Sequence, residues 1–311
     1  MELSLILLKQ VSVMLLLICI GAVCFKSKLI SLEGNKNLTN LVLYVVNPAV
    51  IIVSYQQTFT PHLFKGLAYA LLLSAAGLLI FIGLSYLLLR GKNQDNIIIE
   101  RINASYSNCG FMGIPLALAL FGSEGVLYIT AINTVFNILI WTHGVAAISN
   151  NKSEVSFKKI ITNPTIIATV LGFLMFAFQI KIPGLIFNAL SYVNDMITPL
   201  AMFIAGITIA NSNIIKALKK PRIYFVCAIK LLIVPIVFIL LISLLPCPNE
   251  IAKITTIVGL SCPSATIGTM LAIRFNKNSS YSSEIFGLST VLSVITLPII
   301  VYIAKTAGSI F

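Results

Sequence analysis

The chain has 311 residues, of which 58% are hydrophobic and only 10% charged, and its mean hydropathy is +1.02. This excludes a soluble domain, because runs of about 20 apolar residues recur along the length and each can cross the hydrocarbon core of a bilayer. The net charge of +12 does not mark a nucleic-acid binder: the cations fall in short links between apolar runs, as in loops at an anionic cytoplasmic leaflet.

In chain order the apolar pattern predicts ten spans. The first runs from about Leu3 to Phe25; it has neither a basic start nor a small-residue cleavage site, so it reads as a span and not a signal peptide. The second covers about Leu38 to Tyr55, the third Gly66 to Leu89, the fourth residues 102–121 and the fifth Val126 to Ile148. A polar link over 150–160 separates the halves 1–149 and 161–311. The later spans are about Pro164 to Ile180, Leu185 to Ala210, Ile223 to Leu245, Ile251 to Ile273 and Ile285 to Ala304. The six cysteines include no CxxC pair and have no histidine-rich company, so neither a disulfide framework nor a metal site is expected.

The cations set the orientation. Links after odd-numbered spans hold 15 lysines and arginines, among them Lys92, Lys152, Lys159 and Lys216, against 5 on the opposite side. The excess places the odd links in the cytoplasm and both termini outside. Abundant lysine over arginine and asparagine-rich loops fit a bacterial protein of the cytoplasmic (inner) membrane.

Two spans are interrupted. Ser107-Asn108-Cys109-Gly110-Phe111-Met112-Gly113-Ile114-Pro115 puts two glycines and a proline in the middle of span four, and Ser261-Cys262-Pro263-Ser264-Ala265-Thr266 does the like in span nine. Proline lacks an amide hydrogen, and an unpaired backbone group in lipid costs several kcal/mol, so such breaks persist only inside protein or beside a watery cavity. Taken singly, each could be no more than a proline kink. Cys109 and Cys262 are 153 residues apart, and Pro48 of span two is 151 residues from Pro199 of span seven. Five spans per half is an odd number, so the second half must enter the membrane inverted. Paired broken helices in an inverted repeat point to a transporter's substrate site.

The residues at 108–116, together with Asn47-Pro48, Cys262-Pro263-Ser264 and Lys230-Leu-Leu-Ile-Val-Pro235, resemble the auxin efflux carrier family. The short central link is more similar to its bacterial malate permease-like branch than to plant PIN-type carriers. The resemblance implies an all-α polytopic membrane protein of ten transmembrane helices in two inverted five-helix repeats, with helices 4 and 9 crossing at mid-membrane. It also implies transport of small organic anions without ATP hydrolysis, and the chain contains no phosphate-binding loop motif.

The candidate substrate site follows from the breaks. A half-helix starting at mid-membrane presents free amides and the positive end of its dipole to an anion. Span four offers Asn108, Cys109, Gly110, Gly113 and Pro115 there, and span nine offers Ser261, Cys262, Pro263, Ser264 and Thr266. Asn47 and Thr198, each just before its proline, would bind substrate or repair freed carbonyls. Asn133 and Asn137 share one face of span five and either line the cavity or hold helices together.

Three ionisable residues are candidates for coupling. Asp195 would bind a proton or sodium ion, or else lies in an outer vestibule. Lys230 would snorkel to the cytoplasmic face or draw anions into the cavity. His143 is an interfacial residue beside Trp141 or a proton relay. No cofactor is expected beyond a coupling H+ or Na+. The expected partners are a small organic anion and the lipid bilayer, with no nucleic acid, and an immobile bundle would suit a homodimer. The alternative is a cation/proton antiporter, although neither break contains an acid. A membrane enzyme lacks its usual motifs here, with no HExxH and no GxSxG.

Overall fold

The computed structural model describes residues 2–91, 93–151, 154–155, 158, 161–212 and 217–308. Lys92, Lys152, Lys159 and Lys216 and parts of the 150–160 link lie outside the described residues. Among the described residues there are helices and no strand, apart from a single antiparallel bridge between Ser107 and Ser264. The helices of the first part are α1 (Glu2–Lys26), α2 (Leu32–Leu41), α3 (Asn47–Ser54), α4 (Pro61–Leu88), α5 (Gln94–Ser105), α6 (Ile114–Leu139) and α7 (Val145–Ser149). Those of the second are α8 (Pro164–Ala177), α9 (Gly184–Asp195), α10 (Ile197–Asn211), α11 (Pro221–Ala228), α12 (Val234–Ser243), α13 (Glu250–Ser261), α14 (Thr266–Arg274) and α15 (Ser279–Gly308).

Polar caps set the helix starts. Ser31, Thr60, Asn93, Asn163 and Asn249 each accept a bond from an amide in the first turn, and Pro61 and Pro164 open their helices where no amide is needed. Three internal prolines are each met by a π-turn. Val42–Val46 precedes Pro48, Cys109–Gly113 precedes Pro115 and Ile229–Ile233 precedes Pro235. In each case the wide turn contains the carbonyl four residues back, where a proline ring would clash in a regular helix. Spans two and eight therefore stay helical through their prolines. At Pro199 the carbonyl four back belongs to Asp195, where α9 ends, so the joint at Met196 takes up the misfit.

Among the described residues seven stretches are long and apolar enough to cross a membrane: Leu5–Lys26, Leu32–Ser54, Pro61–Leu88, Cys109–Ser149, Gly184–Asn211, Pro221–Ser243 and Ser279–Ala307. The difference from the ten expected spans has physical causes. Cys109–Ser149 is 41 residues long, about twice the bilayer, and Gly122 (φ 60°, ψ −144°) interrupts it. The ninth expected span is divided into α13 and α14, and the sixth, Pro164–Ala177, is a shorter apolar helix.

Two groups of helices are distinguished, and α1 joins them by packing on α15 and α6 as well. In the first, α1 lies along α10 and α8 along α3, with α9 against α3. Close approach depends on glycine: a Cβ on Gly21 would lie 2.6 Å from the Phe203 carbonyl oxygen, and one on Gly206 would strike the Ile18 carbonyl. The second group gathers α4, α5, α6 and α11 to α15. One edge of it is tied by buried Glu100, which takes bonds from Arg222 and Tyr281, and by buried Glu284, paired with Lys220 at 2.6 Å. Near the start of α4, Asn249 donates to Tyr128, which donates to Glu124.

Candidate functional site

Each interrupted helix leaves backbone groups unpaired, and the two breaks satisfy each other. Tyr106 (ψ 120°) and Cys262 (ψ 153°) leave the helical region, so 106–107 and 262–265 run extended and antiparallel. The Asn108 amide donates to the Pro263 carbonyl at 2.8 Å, and the Ala265 amide to the Tyr106 carbonyl at 3.0 Å. The Ser264 amide donates to Ser289 Oγ at 3.2 Å. Two mid-chain breaks thus form a closed polar unit inside a hydrophobic core.

From this unit the chain restarts twice as helix. The π-turn into α6 begins after Asn108 and α14 begins after Ala265, and neither start has a side-chain cap. Both open onto a cavity of about 90 Å³. Its polar lining is Thr39, Asn47, Ser107, Asn108, Asn133, Asn137, Thr165 and Thr266. Leu43, Gly110, Phe111, Phe136, Ala265, Ile267 and Met270 complete the wall, so no charged side chain contributes to it. Asn108 Nδ2 and Asn47 Oδ1 are buried without a hydrogen-bond partner. Both residues line the cavity while the two atoms themselves are closed off, so a donor and an acceptor beside one cavity are groups that a small polar ligand would satisfy once these side chains turn toward it.

Several residues singled out from the sequence meet here. Asn47, Asn108, Gly110, Asn133, Asn137 and Thr266 line the cavity. Cys109 is buried behind it and donates Sγ–H to Asn133 Oδ1 at 3.1 Å. Asn137 Nδ2 donates to the Asn133 carbonyl, and its Oδ1 accepts from Asn163 at 3.0 Å, so one face of the helix both lines the cavity and ties down the start of α8. Gly113 and Pro115 are buried in packing; a Cβ on Gly113 would lie 2.7 Å from Ile129. Ser261, Cys262, Pro263 and Ser264 are buried in the paired breaks, with the Ser261 and Ser264 hydroxyls unpartnered.

Others lie elsewhere. Thr198 is half-buried and does not line the cavity. Asp195 is exposed at the end of α9, where Asn194 donates to it at 3.1 Å. His143 is half-buried with Nδ1 2.9 Å from the Tyr106 hydroxyl, so it touches the residue that opens the first break. Lys230 departs from the snorkelling expectation. It is fully buried, and its ammonium reaches inward to Ser107 Oγ and, at 3.3 Å, to the Leu260 carbonyl. Its place in the π-turn Ile229–Ile233 aims the stem into the protein. Among the described residues all cysteines are free and no cluster of His, Cys, Asp or Glu could hold a metal.

Tyr106, Ser289, Thr39 and Thr165 are not singled out in the sequence, and Ser107 is named there only as the start of the first break. Ser107 had a signal, because it sits inside the first break. Thr39 and Ser289 had none, since a lone hydroxyl in an apolar helix usually bonds to its own backbone.

Among the described residues seven stretches are long and apolar enough to cross a membrane, and two of them line the polar cavity together with the paired breaks, α8 and α14, an arrangement that fits a membrane transport protein. The chain belongs to the membrane transport protein family, the auxin efflux carrier-like group, whose family model matches residues 6–301. It is 23% identical over 304 residues to an uncharacterized transporter of Methanocaldococcus jannaschii, covering 92% of this chain and 95% of that one. It is 25% identical over 200 residues to an uncharacterized transporter of Methanothermobacter thermautotrophicus, covering 64% and 65% of the two chains. It is 23% identical over 233 residues to a Rhizobium meliloti protein provisionally named a malonate transporter, covering 71% and 72%.

Proposed function

We propose that the protein is a secondary transporter of small organic anions, dicarboxylates or related weak acids, working by alternating access. The observation that carries this reading is the unpartnered Asn108 Nδ2, buried in the wall of an uncharged cavity where two uncapped half-helices begin. A carboxylate there would accept from Asn108 and from the free amides of both helix starts without needing a cation in the wall. Asn47 Oδ1 would accept from a hydroxyl or protonated carboxyl on the same ligand. Thr266 and Asn133 would complete the site, with Cys109 and the Ser261–Ser264 segment behind it. The provisional malonate assignment of the Rhizobium relative agrees with this class of substrate.

The architecture proposed is ten spans in two inverted halves, 1–149 and 161–311, with the broken fourth and ninth crossing at mid-membrane. The support is reciprocal packing. The first helix of each half lies along the second span of the other, α1 on α10 and α8 on α3. The group α1 to α3 with α8 to α10 would stay fixed while the paired breaks and their helices move. Thr165, beside the link assigned to the cytoplasm, lines the cavity, which supports reading this as an inward-facing state. The membrane would be a bacterial inner membrane with both termini outside, and the driving force a proton or sodium gradient or that of the anion itself.

Binding tests the reading without any assumption about the driving force. Thermal unfolding of the detergent-purified protein is measured with malonate, malate, succinate, acetate and neutral amides. At least one carboxylate raises the midpoint saturably in the wild type and not in Asn108→Ala. No shift with any carboxylate would remove organic anions from the proposal.

A further inference from the structure

Lys230 presents an unusual balance of charge. It is fully buried, and among the described residues none of the ion pairs includes it. A lone ammonium in a low-dielectric interior persists only where its surroundings replace water. Its hydrogen-bond and ring contacts do so as acceptors, with the thiols of Cys109 and Cys262 the nearest titratable groups. Ser107 Oγ accepts from it while donating its own hydrogen to the Leu260 carbonyl; that carbonyl also accepts from Lys230 at 3.3 Å; and the Phe81 ring lies 4.6 Å from Nζ. None of these three offers a hydrogen to a nitrogen lone pair, so they suit a cation and not a neutral amine.

The position matters as much as the contacts. Leu260 is next to last in α13, so its carbonyl belongs to the negative end of a half-helix that stops at mid-chain. Half-helix C-termini and unwound carbonyls beside a substrate site are where sodium-coupled transporters hold their ion. Here the hydroxyls of Ser261, beside Leu260, and Ser264, across the bridge from Ser107, are also buried without partners. Ser107 is also one of the residues lining the cavity, so one residue links the ammonium to the ligand space.

The geometry points to Lys230 as a built-in cation: its ammonium takes the place that a sodium ion would occupy at the C-terminal end of α13, holds the paired breaks together from behind and leaves transport independent of sodium. This deepens the organic-anion reading and rests on it for the statement about transport, but not for the statement about the cation site. Lys230 is a positioning residue, acting on the ligand space through Ser107.

Removing the side chain should create a site for a small free cation. Thermal unfolding in detergent is followed for wild type and Lys230→Ala in choline, sodium, lithium and methylammonium chloride at constant ionic strength. The wild type should unfold at one temperature in all four salts. Lys230→Ala should be least stable in choline and gain several degrees, saturably, in methylammonium or an alkali salt; Lys230→Arg, which keeps the charge, should be insensitive. Lys230→Ser, which adds a hydroxyl to the vacated space, serves if the alanine variant does not purify, and the same gain is expected of it. A saturable sodium response in the wild type, or no cation response in either small-residue variant, would overturn the assignment. A parallel arm measures malonate uptake into wild-type proteoliposomes, with equal rates expected in sodium and choline and a strict sodium requirement contradicting the proposal. Absence of uptake in both salts alongside the expected unfolding pattern would count against the transport reading and leave the cation assignment standing.

Discussion

Tyr106 and Ala265 meet backbone to backbone, the amide of one break donating to the carbonyl of the other at 3.0 Å, in register with the Asn108–Pro263 bond at 2.8 Å. Each break is the other's hydrogen-bond partner. Neither half of the chain could hold its interrupted helix in a membrane alone, because the extended residues would face apolar surroundings with unmet amides and carbonyls.

Ala265→Pro tests this directly. The φ of Ala265 is −77°, which proline accepts, so the substitution removes the amide hydrogen with little strain on its own backbone angle. Stability should fall by about 2–4 kcal/mol because the Tyr106 carbonyl loses its partner. Ala265→Gly, which keeps the amide, should lose far less. Equal midpoints for the two variants in a detergent melt would show that the bond is dispensable.

Asn108→Ala should raise the half-saturating carboxylate concentration about tenfold, the worth of one hydrogen bond to a charged group, and leave the maximal rate near wild type. Asp195→Asn and Thr198→Ala lie outside the cavity wall and should leave uptake and gradient-driven accumulation unchanged. Loss of pH-driven accumulation in Asp195→Asn, with counterflow intact, would return that residue to the coupling mechanism.

Glu100→Gln should cost about 2–3 kcal/mol. The carboxylate is buried and holds both Arg222 and Tyr281, whereas the Arg222 side chain is 39% exposed and can recover part of its hydration. The cost should therefore stay below that of breaking a fully buried pair. Chemical unfolding of the purified variant measures it, and a change under 1 kcal/mol would mark the contact as peripheral.

Cys247 is exposed between Pro246 and Pro248, in a link that the distribution of lysine and arginine assigns to the outer face. A membrane-impermeant maleimide added to intact cells should label it, while Cys109 and Cys262, buried in the core, should not react until the protein unfolds. Labelling of Cys247 only after the cells are opened would reverse the proposed orientation.

The two breaks were legible from the sequence because glycine and proline in the middle of an apolar run leave few alternatives. Asn108 and Asn133 were legible as amides near a break. Which residues repair the broken backbone was not, because Tyr106, Pro263 and Ala265 meet only in three dimensions, and through main-chain atoms that side-chain identity does not reveal. Lys230 was misjudged because helical rise gives depth and not direction. At about eight residues into a span, snorkelling and burial are both within reach of its stem, and the π-turn at Ile229–Ile233 decides between them. The Gly122 reversal also escaped, since the glycine of Phe121-Gly122-Ser123 looks like any other loop glycine until its φ of 60° is seen.

The central claim, that the cavity at the paired breaks carries an organic anion across the membrane, is tested most directly by counterflow. Proteoliposomes loaded with unlabelled malonate are placed in a trace of labelled malonate, which removes any need for a coupling gradient. The account predicts transient accumulation of label in the wild type, competition by related carboxylates and a tenfold weaker apparent affinity in Asn108→Ala. No counterflow with malonate or any other carboxylate, from protein that shows a saturable response to sodium or lithium, would contradict it.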